Sequence, residues 1–351
     1  MAAPRPLLAL LLLALGAAAV ACGSAPLEGR LAAALPGGGR RLLAGVGDRL
    51  VFHGAKPPVS LYREAERLGL PTDLFQIWLP RGWHDSWIPR AGLEEIQRRG
   101  GVPVVVHSYF TAGISRERVE AARGAWRSDL RRLARAVDVS GPVLVVLEPE
   151  FNDGPPAGET PITAWPGFAE ELRAAAALLR RGAPSALLGT CAGDFSPDRN
   201  LEAVLGPVAS ELDFLGFQEM RAATAPDAAR HGYREVAAAA VDYAGYLERV
   251  FGRPLLLCYV AVSSHRGWAE VQANALRGLV ERRAELVRRG VFGLIYFQLR
   301  DDPRHEGYFG PAERHFGLLD AAGAPKPALP ILRELRGPRR AKDAPGGSRK
   351  G

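Results

Sequence analysis

The sequence predicts an α/β fold, a single-domain (β/α)8 barrel of the TIM type. Three observations predict it. Short runs of β-branched or aromatic residues, bounded by turn residues, alternate with amphipathic segments, and strands that alternate with helices build a parallel sheet. Eight such units in about 290 residues close into a barrel rather than an open sheet. Most runs are nearly all apolar, as strands covered on both faces are. The turn after the first, HGAKPPVS, is not the Gly-rich phosphate loop that would open a doubly wound sheet.

The strands are expected, in order, at 49–53 (RLVFH), 73–79 (DLFQIWL), 102–108 (VPVVVHS), 142–148 (PVLVVLE), 186–191 (ALLGTC), 212–219 (LDFLGFQE), 254–260 (PLLLCYV) and 292–299 (FGLIYFQL). Amphipathic segments follow each: SLYREAERLGL, LEEIQRRG, RERVEAARGAWRSDLRRLARAV, WPGFAEELRAAAALLRRG, a weaker one at 198–209, AARHGYREVAAAAVDYAGYLERV, GWAEVQANALRGLVERRAELVRRG and PALPILREL. Arg-Arg-Gly closes three of them, at 98–100, 180–182 and 288–290. The Gly suits the left-handed residue after a last turn, and the arginines oppose the negative end of the helix dipole.

The barrel domain is expected over residues 46–338, with three segments outside it. Residues 1–21 read as a secretory signal peptide: Arg5, an apolar run from Leu7 to Val20 too short for a comfortable membrane span, then small residues. Ala19-Val20-Ala21-Cys22 resembles the lipobox of bacterial lipoproteins, with Ala19 where that pattern prefers Leu. The resemblance implies that Cys22 is the lipidated N-terminus of a bacterial protein exported to the cell envelope or periplasm and held at a membrane. An ordinary signal peptide with a chance Cys is the alternative. Residues 22–45, rich in Gly, Ala and Pro, read as a flexible tether, and residues 339–351 as a disordered basic tail. That tail carries net +4 of the formal +7, and with Arg5 set aside the body keeps +2. The charge therefore gives little support to a nucleic-acid groove, and the domain is expected to work as a monomer. Cys191 and Cys258 both fall in strands, where a pair of buried thiols or a disulfide is possible. No metal-type Cys/His spacing occurs, and no cofactor is expected.

In such a barrel chemistry sits at the carboxyl ends of the strands. There the sequence places His53; Gln76 and Trp78, followed by a loop with Trp83, His84, Asp85 and Trp87; His107 and Tyr109; Glu148, Glu150 and Asn152; Asp194; Gln218 and Glu219; Tyr259; and Tyr296, Gln298 and Arg300. The opposite ends hold Pro, Gly, Asp and apolar residues. A rim of aromatic faces and hydrogen-bonding groups suits a carbohydrate, since the rings stack on sugar faces and the polar groups bond hydroxyls. Glycoside cleavage needs two carboxyl groups in different environments.

The stretch VVLEPEFND carries the sharpest signal. An apolar strand runs straight into Glu148, Glu150 and Asn152, which share one face if the strand's period of two continues. A carboxyl at the rim over an apolar barrel top is a candidate general acid. A fourth strand ending in Glu, with Asn two places on, resembles the clan A glycoside hydrolases, and Glu150-Phe151-Asn152 is most similar to the acid/base segment of family 26 mannanase-type enzymes. The resemblance implies Glu150 as acid/base. The clan has Asn or His before the acid, where Pro149 stands here, and its nucleophile is a Glu ending the seventh strand, where LLLCYVAVSS has no carboxylate. Three readings stay open: Glu219 as base or nucleophile, Asp194 as the group that activates water, or a barrel that binds glycan without cutting it. A metal-dependent hydrolase using His53, His107 and Asp194 is disfavoured because the first strand has no HxH pair.

Overall fold

A computed structural model describes residues 29–39, 41–47, 57–110, 113–194, 201–222 and 236–335. Eight parallel strands close into a barrel in sequence order. They are β1 (Leu43–Gly47), β2 (Leu74–Pro80), β3 (Val102–Ser108), β4 (Val143–Leu147), β5 (Ala186–Ala192), β6 (Phe214–Arg221), β7 (Leu255–Val262) and β8 (Val291–Tyr296). The predicted strands from the second onward fall on these, shifted by up to three residues at their ends. The predicted first strand, 49–53, lies outside the described residues, and β1 is the preceding stretch LAGVG. Its two glycines hide it from a propensity reading. They are there for space: a Cβ on Gly45 would run into the Leu74 carbonyl, and one on Gly47 would sit 2.9 Å from the Phe297 carbonyl.

Two apolar layers follow from the alternation along each strand. Leu43, Leu74, Val104, Val106, Leu144, Val146, Leu187 and Phe292 fill the lumen. Val105, Val145, Leu147, Leu188, Leu257 and Leu294 face the surrounding helices, of which the longest is Arg116–Val137, capped by Ser115. Gly100 and Gly290 take positive φ after their helices, as expected, whereas the third Arg-Arg-Gly helix runs on through Gly182.

Part of the segment read as a tether is folded. A short helix, Gly29–Ala34, puts Leu31 and Leu35 into the lumen cluster, and Arg30 donates to the carbonyls of Pro184 and Ala186 at the amino end of β5. These residues plug the floor of the barrel, because the lower ends of a closed sheet otherwise expose the apolar lumen to water. Cys22 and the basic tail lie outside the described residues, among which no helix is long and apolar enough to cross a membrane.

Candidate active site

The end of β4 decides how the carboxylates are used. The strand stops at Leu147, and Glu148 and Glu150 then adopt left-handed backbone angles, φ 44° and 58°. The alternation expected to carry Glu148, Glu150 and Asn152 to one face is broken there. Glu148 turns outward into the helix layer and is fully buried. Its Oε2 accepts from the amides of Tyr109 and Phe110, each at 3.1 Å, and its Oε1 from the Trp126 indole at 2.8 Å. His107 lies between Glu148, at 3.4 Å, and Asp129, at 2.8 Å. Burial works against the charged imidazole, but the bonds to Asp129 and Glu148 outweigh it and raise its pKa to about 9.

Glu150 turns the other way, into a cavity of about 670 Å³ at the carboxyl end of the barrel. Its amide is tied to the Cys191 carbonyl at 2.8 Å, and its Oε1 accepts from the Tyr259 hydroxyl at 2.7 Å. Enclosure, with the negative fields of Asp153 and Glu313 added, pushes its carboxyl up to about 7 against the lowering effect of Tyr259. Near neutral pH it holds a proton part of the time, as a general acid must.

Tyr259 reaches Glu150 through an irregularity in β7. The β6–β7 register runs Phe217 to Leu257, then Gln218 to Tyr259, leaving Cys258 as the extra residue of a bulge. Cys258 and Tyr259 therefore both face the lumen, flanked by outward Leu257 and Val260. Bulges re-aim side chains beside functional sites. Without this one Tyr259 would point into the helix layer. Its ring packs edge-on against Trp78, centroids 5.1 Å apart, and lies 5.8 Å from Phe297.

Of the residues anticipated from sequence, Glu150, Trp78, Tyr259, Gln218 and Asp194 line the cavity. Asp194 is engaged there, accepting from Gln218 Nε2 at 2.9 Å and pairing with Arg221. The other anticipated residues that are described do not line it and have partners elsewhere. Glu219 registers with outward-facing Val260, is buried, and pairs with Arg221 at 2.8 Å, away from the cavity lining. Gln76 holds the Trp78 indole at 2.9 Å. Asn152 spends both ends of its amide on the backbone of Gly193. Trp83, placed by the sequence in the rim loop after the second strand, is buried against the Arg116–Val137 helix, donating to Asp129 with Arg132 over its ring. Tyr109 is buried beside His107 and under Arg81. Tyr296 faces outward and donates to the Phe316 carbonyl at 2.8 Å. Gln298 is buried and donates to the Arg300 carbonyl, and Arg300 pairs with Glu64 on an outer helix. His53 lies outside the described residues. Among the described residues no group of three His, Cys, Asp or Glu is arranged to hold a metal ion. Cys191 and Cys258 are buried free thiols.

The cavity also contains residues the strand-end reading missed: Asp153, Phe110, Phe297 and the segment after β8, with His305, Glu306, Tyr308, Phe309 and Glu313. His305 Nε2 lies 2.7 Å from Glu313 Oε2, and the Phe309 amide donates to Glu313 Oε1 at 2.8 Å. The string HEGYFGPAERH, dense in aromatic and titratable residues within a loop, was the available signal.

No family model matches the chain, and no curated protein matches it in sequence. Its fold has many solved counterparts. An exo-β-1,4-mannosidase from Opitutaceae bacterium strain TAV5 superposes with a TM-score of 0.62 at 16% identity, over 86% of this chain and 60% of that one. The present chain thus spans about 60% of the length of that enzyme. GH5_18 from Streptomyces cattleya, solved with GlcNAc, gives 0.63 at 17%, over 84% and 80%. A family 39 glycoside hydrolase from Bacteroides cellulosilyticus WH2 gives 0.51 at 15%, over 86% and 64%. The protein is a closed eight-stranded parallel barrel of the architecture that glycoside hydrolases of these families share.

Proposed function

We propose that the protein is an exported, lipid-anchored glycoside hydrolase that cleaves a bond in a poly- or oligosaccharide with Glu150 as general acid. One observation carries the reading: a carboxyl with its pKa raised to about 7 stands at the carboxyl-side mouth of a (β/α)8 barrel. Its cavity is walled by Trp78, Phe110, Phe297 and Phe309. Aromatic faces bind sugar rings, and a protonated carboxyl at neutral pH supplies the proton that a departing alkoxide needs. Asp194 and Gln218 stand in the same wall to bond hydroxyls. The neighbouring structures include an exo-β-1,4-mannosidase and a barrel solved with Manβ1-4GlcNAc, so β-linked mannosides are the first substrates to test. Export and lipidation rest on the signal-like N-terminus ending at Cys22. The affinity to family 26 rests on Glu150-Phe151-Asn152 alone.

The alternative is a barrel that binds glycan without cutting it, favoured by the absence of any carboxylate at the end of β7. One experiment separates the two. The purified protein and Glu150→Gln are assayed on aryl and natural β-glycosides, with glycan binding measured in parallel. Hydrolysis lost by ~10²–10⁴-fold in a folded Glu150→Gln supports the enzyme, the span typical of a general acid. Equal turnover by both proteins refutes the assignment of Glu150, and binding without turnover by either establishes the alternative.

A further inference from the structure

The proposed hydrolysis needs a second carboxyl, and the outward turn of Glu219 removes one of the two groups first considered for it. Of the remaining carboxylates in the cavity, Asp194 is engaged by Arg221, which it shares with Glu219, and by Gln218. Asp153 belongs to the same turn as Glu150, its amide donating to the Glu150 carbonyl at 2.9 Å, so it cannot face Glu150 across a bound sugar. Glu306 pairs with Arg314 at the exposed rim. Glu313 is placed differently. It arrives on the segment that follows β8, the strand opposite β4 in an eight-membered ring. That segment is clamped over the end of β7: Ser263 Oγ donates to the Ala312 carbonyl at 2.6 Å, and the Ser264 amide to the His315 carbonyl at 3.0 Å.

We infer that Glu313, oriented by His305, is the second catalytic carboxyl, the base that activates water against the face of the sugar opposite Glu150. This rests on the glycoside hydrolase reading above. Glu313 is a buried residue, 4% exposed, that borders the cavity, and its carboxyl is held from three sides. His305 bonds one oxygen, the Phe309 amide the other, and Gly307 packs so closely that a Cβ there would collide with the carboxyl. A carboxylate offers about four lone-pair sites, so two protein bonds leave room for a water. Glu313 and Glu150 border the same cavity, and the field of Glu313 reaches Glu150. In the step, the water oxygen bonds to the anomeric carbon and its proton passes to Glu313. The bond to the leaving oxygen breaks with its electron pair, and that oxygen takes the Glu150 proton. One water is consumed, and the anomeric configuration inverts.

The test compares the protein, Glu150→Gln and Glu313→Gln on two aryl glycosides of the preferred sugar, one with a 2,4-dinitrophenolate leaving group that departs without protonation and one with a poor leaving group. Glu313→Gln is expected to lose at least ~10²-fold on both, whereas Glu150→Gln keeps activity within about 10-fold on the dinitrophenyl substrate alone. Proton NMR of the first product formed by the unmodified protein is expected to show the inverted anomer, a readout independent of how the variants fold. A folded, active Glu313→Gln overturns the inference, as does a retained anomer, and in either case loss of activity in Glu150→Gln leaves the hydrolase reading standing. If the unmodified protein turns over neither substrate and no natural glycoside, the reading and the inference fall together.

Discussion

Replacing Tyr259 by Phe removes one hydroxyl and leaves the packing of the ring against Trp78 and Phe297 in place. The hydroxyl gives Glu150 a 2.7 Å hydrogen bond that favours the ionised carboxylate. A bond to a charged group contributes about 1.5–3 kcal/mol, and about 1.4 kcal/mol corresponds to tenfold in the protonation equilibrium. Part of that bond survives to the neutral acid, so the titration midpoint of Glu150 should rise from about 7 by roughly one pH unit. Carbon NMR of protein labelled at the Glu side-chain carboxyl, with Glu150→Gln to assign the signal, reads this without any substrate. If Glu150 is the acid of a hydrolysis, the alkaline limb of kcat/KM moves upward by the same amount. A midpoint that stays put or falls would refute the view that Tyr259 tunes this carboxyl.

Glu150→Gln itself should stabilise the fold in a pH-dependent way. The folded pKa, about 7, lies above the ordinary 4.5, so the carboxyl costs nothing below pH 4.5 and its full cost is reached above 7; the variant should gain at most ~3 kcal/mol there, read as a melting-temperature difference that opens between pH 4.5 and 8. His107→Gln should cost ~3–5 kcal/mol at pH 7 in denaturant unfolding, because Asp129 and Glu148 lose a buried cation. With a folded pKa near 9 against 6.5, the charge of His107 stabilises fully below pH 6.5 and that share is lost as pH rises through 9, so the gap to the variant should narrow there. Tyr308, 84% exposed beside the cavity and edge-on to Phe309, is placed to stack on a sugar at the rim; Tyr308→Ala should raise KM by about tenfold with kcat and stability unchanged, measured by steady-state kinetics and thermal unfolding.

Much of the barrel was legible because helix and strand periods alternate cleanly along the chain. β1 was not, since the close approach of β2 demands glycine where propensity looks for branched side chains. The candidate site was legible in part. A strand such as VPVVVHS is apolar on both faces, so its alternation says that His107 shares a face with Val105 but not whether that face is lumen or helix layer. The same ambiguity misplaced Tyr296 and Glu219. Tyr259 was assigned to the site for its position at a strand end, but it faces the lumen through a bulge at Cys258 that leaves no mark in LLLCYVAV. Glu313 escaped because the polar residues were sought at strand ends, and it comes from a turn beyond β8 whose docking onto Ser263 is a tertiary contact.

The turn at Glu148-Pro149-Glu150 explains why an apolar strand ends in two carboxylates. Two non-glycine residues in the left-handed region cost of order 1–3 kcal/mol each, so something must hold them there. Glu148 does so: three donors and His107 fix its carboxylate in the helix layer, and the Asn152 amide with the Glu150 backbone ties the far side of the turn to β5. The outward carboxylate is buried, bonded and structural. The inward one is enclosed and pushed toward its protonated form. One reversal of backbone direction thus sends two identical side chains into opposite environments, and the well-bonded group supplies the rigidity that keeps the poorly solvated one aimed into the cavity. Continued β-alternation could not have done this, because it would have set both carboxyls on the same face, where each would disfavour ionisation of the other.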